Sequence, residues 1–262
     1  MNKSKYSIII STCNKYKQLW AESIKHIKKH WIGQLPNIFL VTDRPSETIF
    51  DDVTILSFED PMPLRIKKAI EIIGTEYYLI TFDDYFVTED VHGSDIEYLA
   101  DYCNIHHCSY VQLYDRKKKK KKNKTIDDVK IIDTSKPYSV CLYPAIWEKE
   151  FALACFSNEL SPWELEPKLS SIASTNNIKC CYAEKECFQI LDVIRKGKVL
   201  HKAKKYCVKN KIDIGEWQTV SYFEEFKLYI VDRIAWHFPK TVVLFLKKIA
   251  RFFGHSFYSD HV

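Results

Sequence analysis

Glycine is scarce in this chain, at six of 262 residues. No GxGxxG and no GxxxxGK[ST] occurs, so the glycine turns that cradle a dinucleotide pyrophosphate or a nucleoside triphosphate are missing. Paired cysteines are missing as well. The nine cysteines, Cys13, Cys103, Cys108, Cys141, Cys155, Cys180, Cys181, Cys187 and Cys207, include no CxxC and are odd in number, which points away from a disulfide framework. No secretory signal is legible, because "MNKSKY" runs straight into the strand-like "SIIIS". The expectation is a reduced, cytoplasmic protein with buried thiols. Zinc at His106, His107 and Cys108 is disfavoured, because adjacent ligands on one strand point to opposite faces. No apolar run approaches the roughly 20 residues that cross a bilayer.

Apolar residues are plentiful. They make up 46% of the chain and aromatics 14%, enough for a large core and too much for global disorder. Short β-branched runs alternate with helical periodicity. "KYSIIIST" (5 to 12), "PNIFLVTD" (36 to 43), "DVTILSF" (52 to 58) and "YYLITF" (77 to 82) read as buried strands. Residues 14 to 31 and "PLRIKKAIEIIG" (63 to 74) read as helices, the second with proline at its start and glycine at its end. Strands alternating with helices predict βαβ units and a mostly parallel sheet. A helix over 92 to 104 and a strand over 108 to 114 extend the pattern.

In such sheets ligands bind beyond the carboxyl ends of the strands. Ser11 and Thr12, Asp43, and the pair Asp83 and Asp84 all fall at those ends. Two adjacent carboxylates after a buried strand oppose each other's ionisation unless a cation lies between them. A hard divalent ion, Mn²⁺ or Mg²⁺, resolves the conflict and shares itself with substrate phosphates. That combination predicts a nucleotide diphosphate substrate, with the metal stabilising charge on the leaving diphosphate.

Charge is uneven along the chain. The net +5 includes Arg116, Lys117 to Lys122 and Lys124 in one stretch. This stretch reads as a solvated loop; anionic lipid or phosphate is an alternative partner, and nucleic acid is not expected, because no aromatics interleave the lysines. After residue 215 two helices separated at Pro239 are expected. The second gathers Val242, Val243, Phe245, Leu246, Ile249, Phe252 and Phe253 on one face and Lys240, Lys247, Lys248 and Arg251 on the other. A basic amphipathic helix suits either an anionic membrane surface or packing on the domain. The expected organisation is a catalytic domain over 1 to 215 and a helical extension over 216 to 262.

The pieces "VTD" (41 to 43), "YYLITFDDYF" (77 to 86), "AIWEKEF" (145 to 151), "SPWELE" (161 to 166) and "GK" (197 to 198) occur in an order and spacing that carry a resemblance. Over roughly residues 5 to 210 the chain resembles the nucleotide-sugar glycosyltransferases of GT-A fold from bacterial capsule and lipopolysaccharide clusters. The resemblance implies a Rossmann-like α/β fold and an inverting transfer of sugar to a saccharide or lipid-linked acceptor at the inner face of the cytoplasmic membrane. It implies that "STCN" and Asp43 hold the nucleoside, and that Asp83 and Asp84 stand where the family's D-x-D variant binds ribose and metal–diphosphate, Asp84 being the metal ligand. Adjacent carboxylates depart from a strict D-x-D, which leaves a metal-independent variant open. Glu166, with Glu164 second, falls where an inverting enzyme keeps its base; Trp147 and Trp163 are the expected sugar-stacking residues, and His201 a candidate to complete a metal shell. Two rival readings use the same residues: a nucleotidyl- or phosphotransferase, and a non-enzymatic basic adaptor that binds nucleic acid or anionic membrane.

Overall fold

A computed structural model describes residues 5–114 and 125–225. The lysine run 117 to 122 and the helices expected beyond Glu225 lie outside the described residues. Leu191 and Asp192 mark a division into two compact units, so the expected boundary at 215/216 falls inside the second.

The first unit begins with β1 (Tyr6–Ser11), α1 (Lys17–His30), a short β2 (Trp31–Ile32), β3 (Ile38–Thr42), β4 (Val53–Ser57) and α2 (Met62–Ile73). β5 (Tyr77–Phe82), β6 (Tyr85–Val87), β7 (Val91–His92), α3 (Gly93–His106) and β8 (Tyr110–Gln112) follow. It continues through β9 (Val129–Ile131), β10 (Ala145–Glu148), α4 (Lys149–Cys155), α5 (Pro162–Thr175) and β11 (Cys180–Ala183). Eight strands form one sheet in the order β4-β3-β1-β5-β10-β8-β11-β9. β1, β3, β4 and β5 run parallel, as do β8 and β11; β10 is antiparallel to both its neighbours, and β9 to β11.

Every residue of β1 is buried, as expected for a strand covered on both faces. Ile8 and Ile10 pack with Leu40 and Leu79 beneath Trp20, Ile24 and Ile27 of α1 and Ile96 and Leu99 of α3. Ile9 turns the other way, with Val41, Tyr78 and Ile80, against Ile66 and Ile70 of α2, Phe151 of α4, and Leu165 and Leu169 of α5. The period-2 alternation along the strands thus divides the apolar residues into two cores, one per face.

Helix ends obey local chemistry. Gly74 closes α2 at φ 69° and donates its N–H to the Ile70 carbonyl, the left-handed cap predicted from its position. Glu148 caps α4 by accepting the N–H groups of Glu150 and Phe151. The expected strand over 108 to 114 starts later, because α3 runs on to His106 and His107 turns left-handed at φ 51°. Three His, Cys, Asp or Glu side chains do not converge as a metal cage anywhere among the described residues.

The second unit is small. β12 (Ile190–Asp192) leads into it, and β13 (Ile194–Arg195) and β14 (Lys198–Val199) form a hairpin ahead of α6 (His201–Asn210). Lys196 and Gly197 sit in the hairpin turn at φ 51° and 74°, the positive dihedrals that tight two-residue hairpins require. The "GK" of the sequence resemblance is therefore the second turn residue, Gly197, and the first residue of β14, Lys198. His201 stacks on Tyr222 at 4.0 Å, with its Nε2 3.8 Å from Glu225. Among the described residues, no helix is long and apolar enough to cross a membrane.

Candidate active site

Parallel strands bring their carboxyl ends to one sheet edge. Ser11 pairs with Val41 on one side and Phe82 on the other, so the residues just beyond, Thr12, Asp43 and Asp83, arrive together. Asp83 is 4% exposed. The Thr12 hydroxyl donates to its Oδ2, and the Thr12 Oγ1 in turn accepts the indole N–H of Trp20 at 2.7 Å. Asp43 Oδ1 accepts the backbone N–H of Asn14 at 2.6 Å and the Thr42 hydroxyl at 3.3 Å. Ser11 is buried, and its Oγ finds no hydrogen-bond partner among the described residues.

Arg65, which the sequence reading did not single out, completes this cluster. Its Nη2 donates to the Thr12 carbonyl at 2.9 Å and its Nη1 to the Asp60 carbonyl at 3.0 Å. Burial lowers its pKa, and Asp43, Cys13, Asp60 and Asp83, in that order, draw it back up. Burial pushes Asp83 up to about 7, against the Thr12 hydrogen bond, the backbone N–H groups of Asp83 and Asp84, and Arg65. The two aspartates thus occupy different environments: Asp83 is buried and locked to Thr12, whereas Asp84 is half-buried at the turn, with Tyr16 close enough to feel its charge.

A second group reaches the same edge from β10. Because β10 runs antiparallel to β5, with Ala145 opposite Ile80, residues 138–144 emerge beside the end of β5. Tyr143 there lies 5.9 Å from Tyr85 and 5.3 Å from Tyr114, and Phe82 meets Tyr85 edge-on at 5.9 Å. Glu166 Oε1 accepts the N–H of Leu142 at 3.4 Å, and its charge adds to burial in raising the Tyr138 pKa. Glu166 is thereby tied to the segment that touches Tyr85, the neighbour of Asp84.

The remaining expected residues have other duties. Glu164 Oε2 accepts the backbone N–H of Ser161 at 2.9 Å and its hydroxyl at 2.7 Å, as part of the capping box of α5. Trp147 is 1% exposed, edge-on to Tyr110 at 4.8 Å and in contact with Phe151 and Phe156. It presents no face to a sugar, which corrects the expectation of a stacking platform there. Trp163, at the start of α5, is 44% exposed.

A hard divalent ion needs only one or two carboxylates when water and substrate phosphate complete its shell. Asp83 and Asp84 are two such carboxylates, adjacent in sequence. Asp84 is the more accessible member, since Asp83 Oδ2 is engaged by Thr12.

No protein-family model and no curated protein matches the chain. Solved structures do. S. aureus TarS 1–349 in complex with UDP-GlcNAc superposes with TM-score 0.51 at 12% identity, over 74% of this chain and 60% of that one. A crystal structure of S. aureus TarS aligns with TM-score 0.43 at 14% identity, over 68% of this chain, which spans 36% of that one. A nucleotidyl transferase from Methanothermobacter thermautotroptrophicus aligns with TM-score 0.44 at 8% identity, over 69% of this chain and 88% of that one. The sheet order and helices are those of a GT-A-like α/β fold, with its carboxylates at the carboxyl edge of the parallel strands.

Proposed function

We propose that the chain is a nucleotide-binding transferase, and specifically a glycosyltransferase that moves a sugar from a nucleotide-diphosphate donor to a saccharide or lipid-linked acceptor. The observation that carries this reading is the meeting of Thr12, Asp43, Asp83 and Arg65 at the carboxyl edge of a GT-A-like sheet, with Asp84 at the adjoining turn. Such an edge is where α/β sheets take ligands. The solved TarS complex holds UDP-GlcNAc, which is the class of donor proposed here.

Each residue then has a task. Asp43 and the Ser11–Asn14 segment take the nucleoside, and Asp83 the ribose. Asp84 and Asp83 would hold Mn²⁺ or Mg²⁺, which would supply Lewis-acid stabilisation of the departing diphosphate. Glu166 is the base that deprotonates the acceptor hydroxyl, because Glu164 is spent on the helix cap. Trp163 contributes a stacking surface for the acceptor. The resemblance supports an inverting transfer, in which Glu166 would be the single base required. The resemblance to enzymes of capsule and lipopolysaccharide assembly supports an acceptor at the inner face of the cytoplasmic membrane, reached through the basic segment after residue 215.

Product analysis tests this reading against a nucleotidyltransferase. Incubation with nucleotide sugars and Mn²⁺ is expected to release nucleoside diphosphate. Release of pyrophosphate in its place would overturn the glycosyltransferase assignment.

A further inference from the structure

Thr12 and Asp83 form part of a directional chain that begins inside the core. Trp20 is fully buried in α1, and its indole nitrogen is a donor only. Because that N–H donates to Thr12 Oγ1 at 2.7 Å, the hydroxyl oxygen is an acceptor on that side. Threonine has one hydroxyl proton to give. Two acceptors lie in reach: Asp83 Oδ2, and the Cys13 carbonyl at 3.3 Å. An ionised carboxylate accepts more strongly than a peptide carbonyl, so Asp83 is the stronger partner in its ionised form. Arg65 Nη2 fixes the same residue from below through the Thr12 carbonyl, at 2.9 Å, so Thr12 has little freedom to turn away.

We propose that Trp20 and Thr12 are positioning residues: the indole orients the Thr12 hydroxyl so that its proton points at Asp83 Oδ2, fixing the rotamer of that carboxylate before a ligand arrives. The functional half of this inference rests on the nucleotide–transferase reading above. Its structural half does not. One consequence refines the expectation that Thr12 is among the residues holding the nucleoside: its hydroxyl proton is already spent inside the protein. A second is that Trp20, outside any motif, controls affinity at a site it reaches only through Thr12. Preorganised groups of this kind bind better because the ordering cost is met during folding.

The test is a set of variants of the full chain read in two ways. Affinity for UDP with Mn²⁺, measured by calorimetry, is expected to fall ~10-fold or more in Thr12→Val and to stay within ~3-fold of wild type in Thr12→Ser, which restores the hydroxyl. Trp20→Phe, which keeps an aromatic ring and removes the N–H, is expected to weaken binding by ~3- to 10-fold in the wild-type background and to add nothing in Thr12→Val. Equal losses from Trp20→Phe in both backgrounds, or wild-type affinity in Thr12→Val, would overturn the proposal.

Urea midpoints of ligand-free protein give the second reading. Trp20 and Asp83 share a hydroxyl, not a hydrogen bond with each other, so Trp20→Phe and Asp83→Ala are expected to be non-additive. They should become additive once Thr12 is valine, the packing loss at Trp20 being common to both arms of the cycle. Additivity in the wild-type background would refute the chain whatever the nucleotide does. Absence of any UDP binding by wild type, together with an intact urea cycle, would leave the positioning chain standing and remove the transferase reading.

Discussion

Individual residues show how much burial decides. Two aspartates adjacent in sequence have separate fates because one side chain turns into the protein and the other stays at the turn. Arg65 carries the complementary charge inside. Its position was legible in principle: it lies three residues after Met62 and four before Ala69, on the stripe that α2 buries, and a charged residue on an apolar stripe is a signal that it meets something. Arg65→Met is expected to destabilise by about 3 kcal/mol, by orphaning the Thr12 and Asp60 carbonyls and leaving Asp83 without its counter-charge. Arg65→Lys should recover little of this, since one ammonium cannot reproduce a planar fork; chemical denaturation of the three proteins checks both.

His26 supplies the pH prediction. Its ring stacks on Phe86 at 4.6 Å, and burial holds its pKa below the usual range, with Glu22 opposing and His30 and Lys29 reinforcing the shift. A histidine whose folded pKa lies below its unfolded one binds fewer protons when folded. Stability is therefore unaffected above the unfolded value of about 6.5 and falls progressively as pH drops below it. His26→Phe keeps the stack and should flatten that part of the profile. The difference in urea midpoint between wild type and variant, followed from pH 8 to pH 5, should grow in favour of the variant.

At the scale of elements, what could be read depended on whether local chemistry carried the information. The strands β1, β3, β4 and β5 were legible because β-branched runs end abruptly in polar residues. The start of α5 was legible too, since Ser161 followed by Glu164 is a capping box in sequence as well as in space. The direction of β10 was not, because alternation of apolar residues says nothing about which way a strand runs. That antiparallel insertion is what carries Tyr143 and Leu142 to the carboxylate edge, so the aromatic group of Tyr85, Tyr114 and Tyr143 could not be assembled from spacing. Trp147 was misread for the same reason: its partners are Tyr110 of β8 and Phe151 and Phe156 of α4 and its C-terminal cap. Ser161→Ala is expected to cost about 1 kcal/mol through loss of the cap with turnover retained. Glu166→Gln, in contrast, should abolish turnover while the protein still binds nucleotide. Gly74→Ala should cost about 1 kcal/mol from the left-handed cap alone, since a Cβ there meets no atom within 4 Å.

For the molecule as a whole, the parallel strands fix where chemistry can occur and the two apolar faces hold that edge rigid. The central claim is that this edge binds a nucleotide diphosphate through Asp84, Asp83 and a divalent ion. The most direct measurement is the melting temperature of the full chain with UDP, GDP, CDP or CMP, each with and without Mn²⁺, because a ligand that binds only the native state raises it. The account predicts a rise with one nucleoside diphosphate that requires Mn²⁺ and disappears in Asp84→Ala. A rise of equal size in that variant would contradict the assigned metal site, and no rise with any nucleotide would contradict the transferase itself.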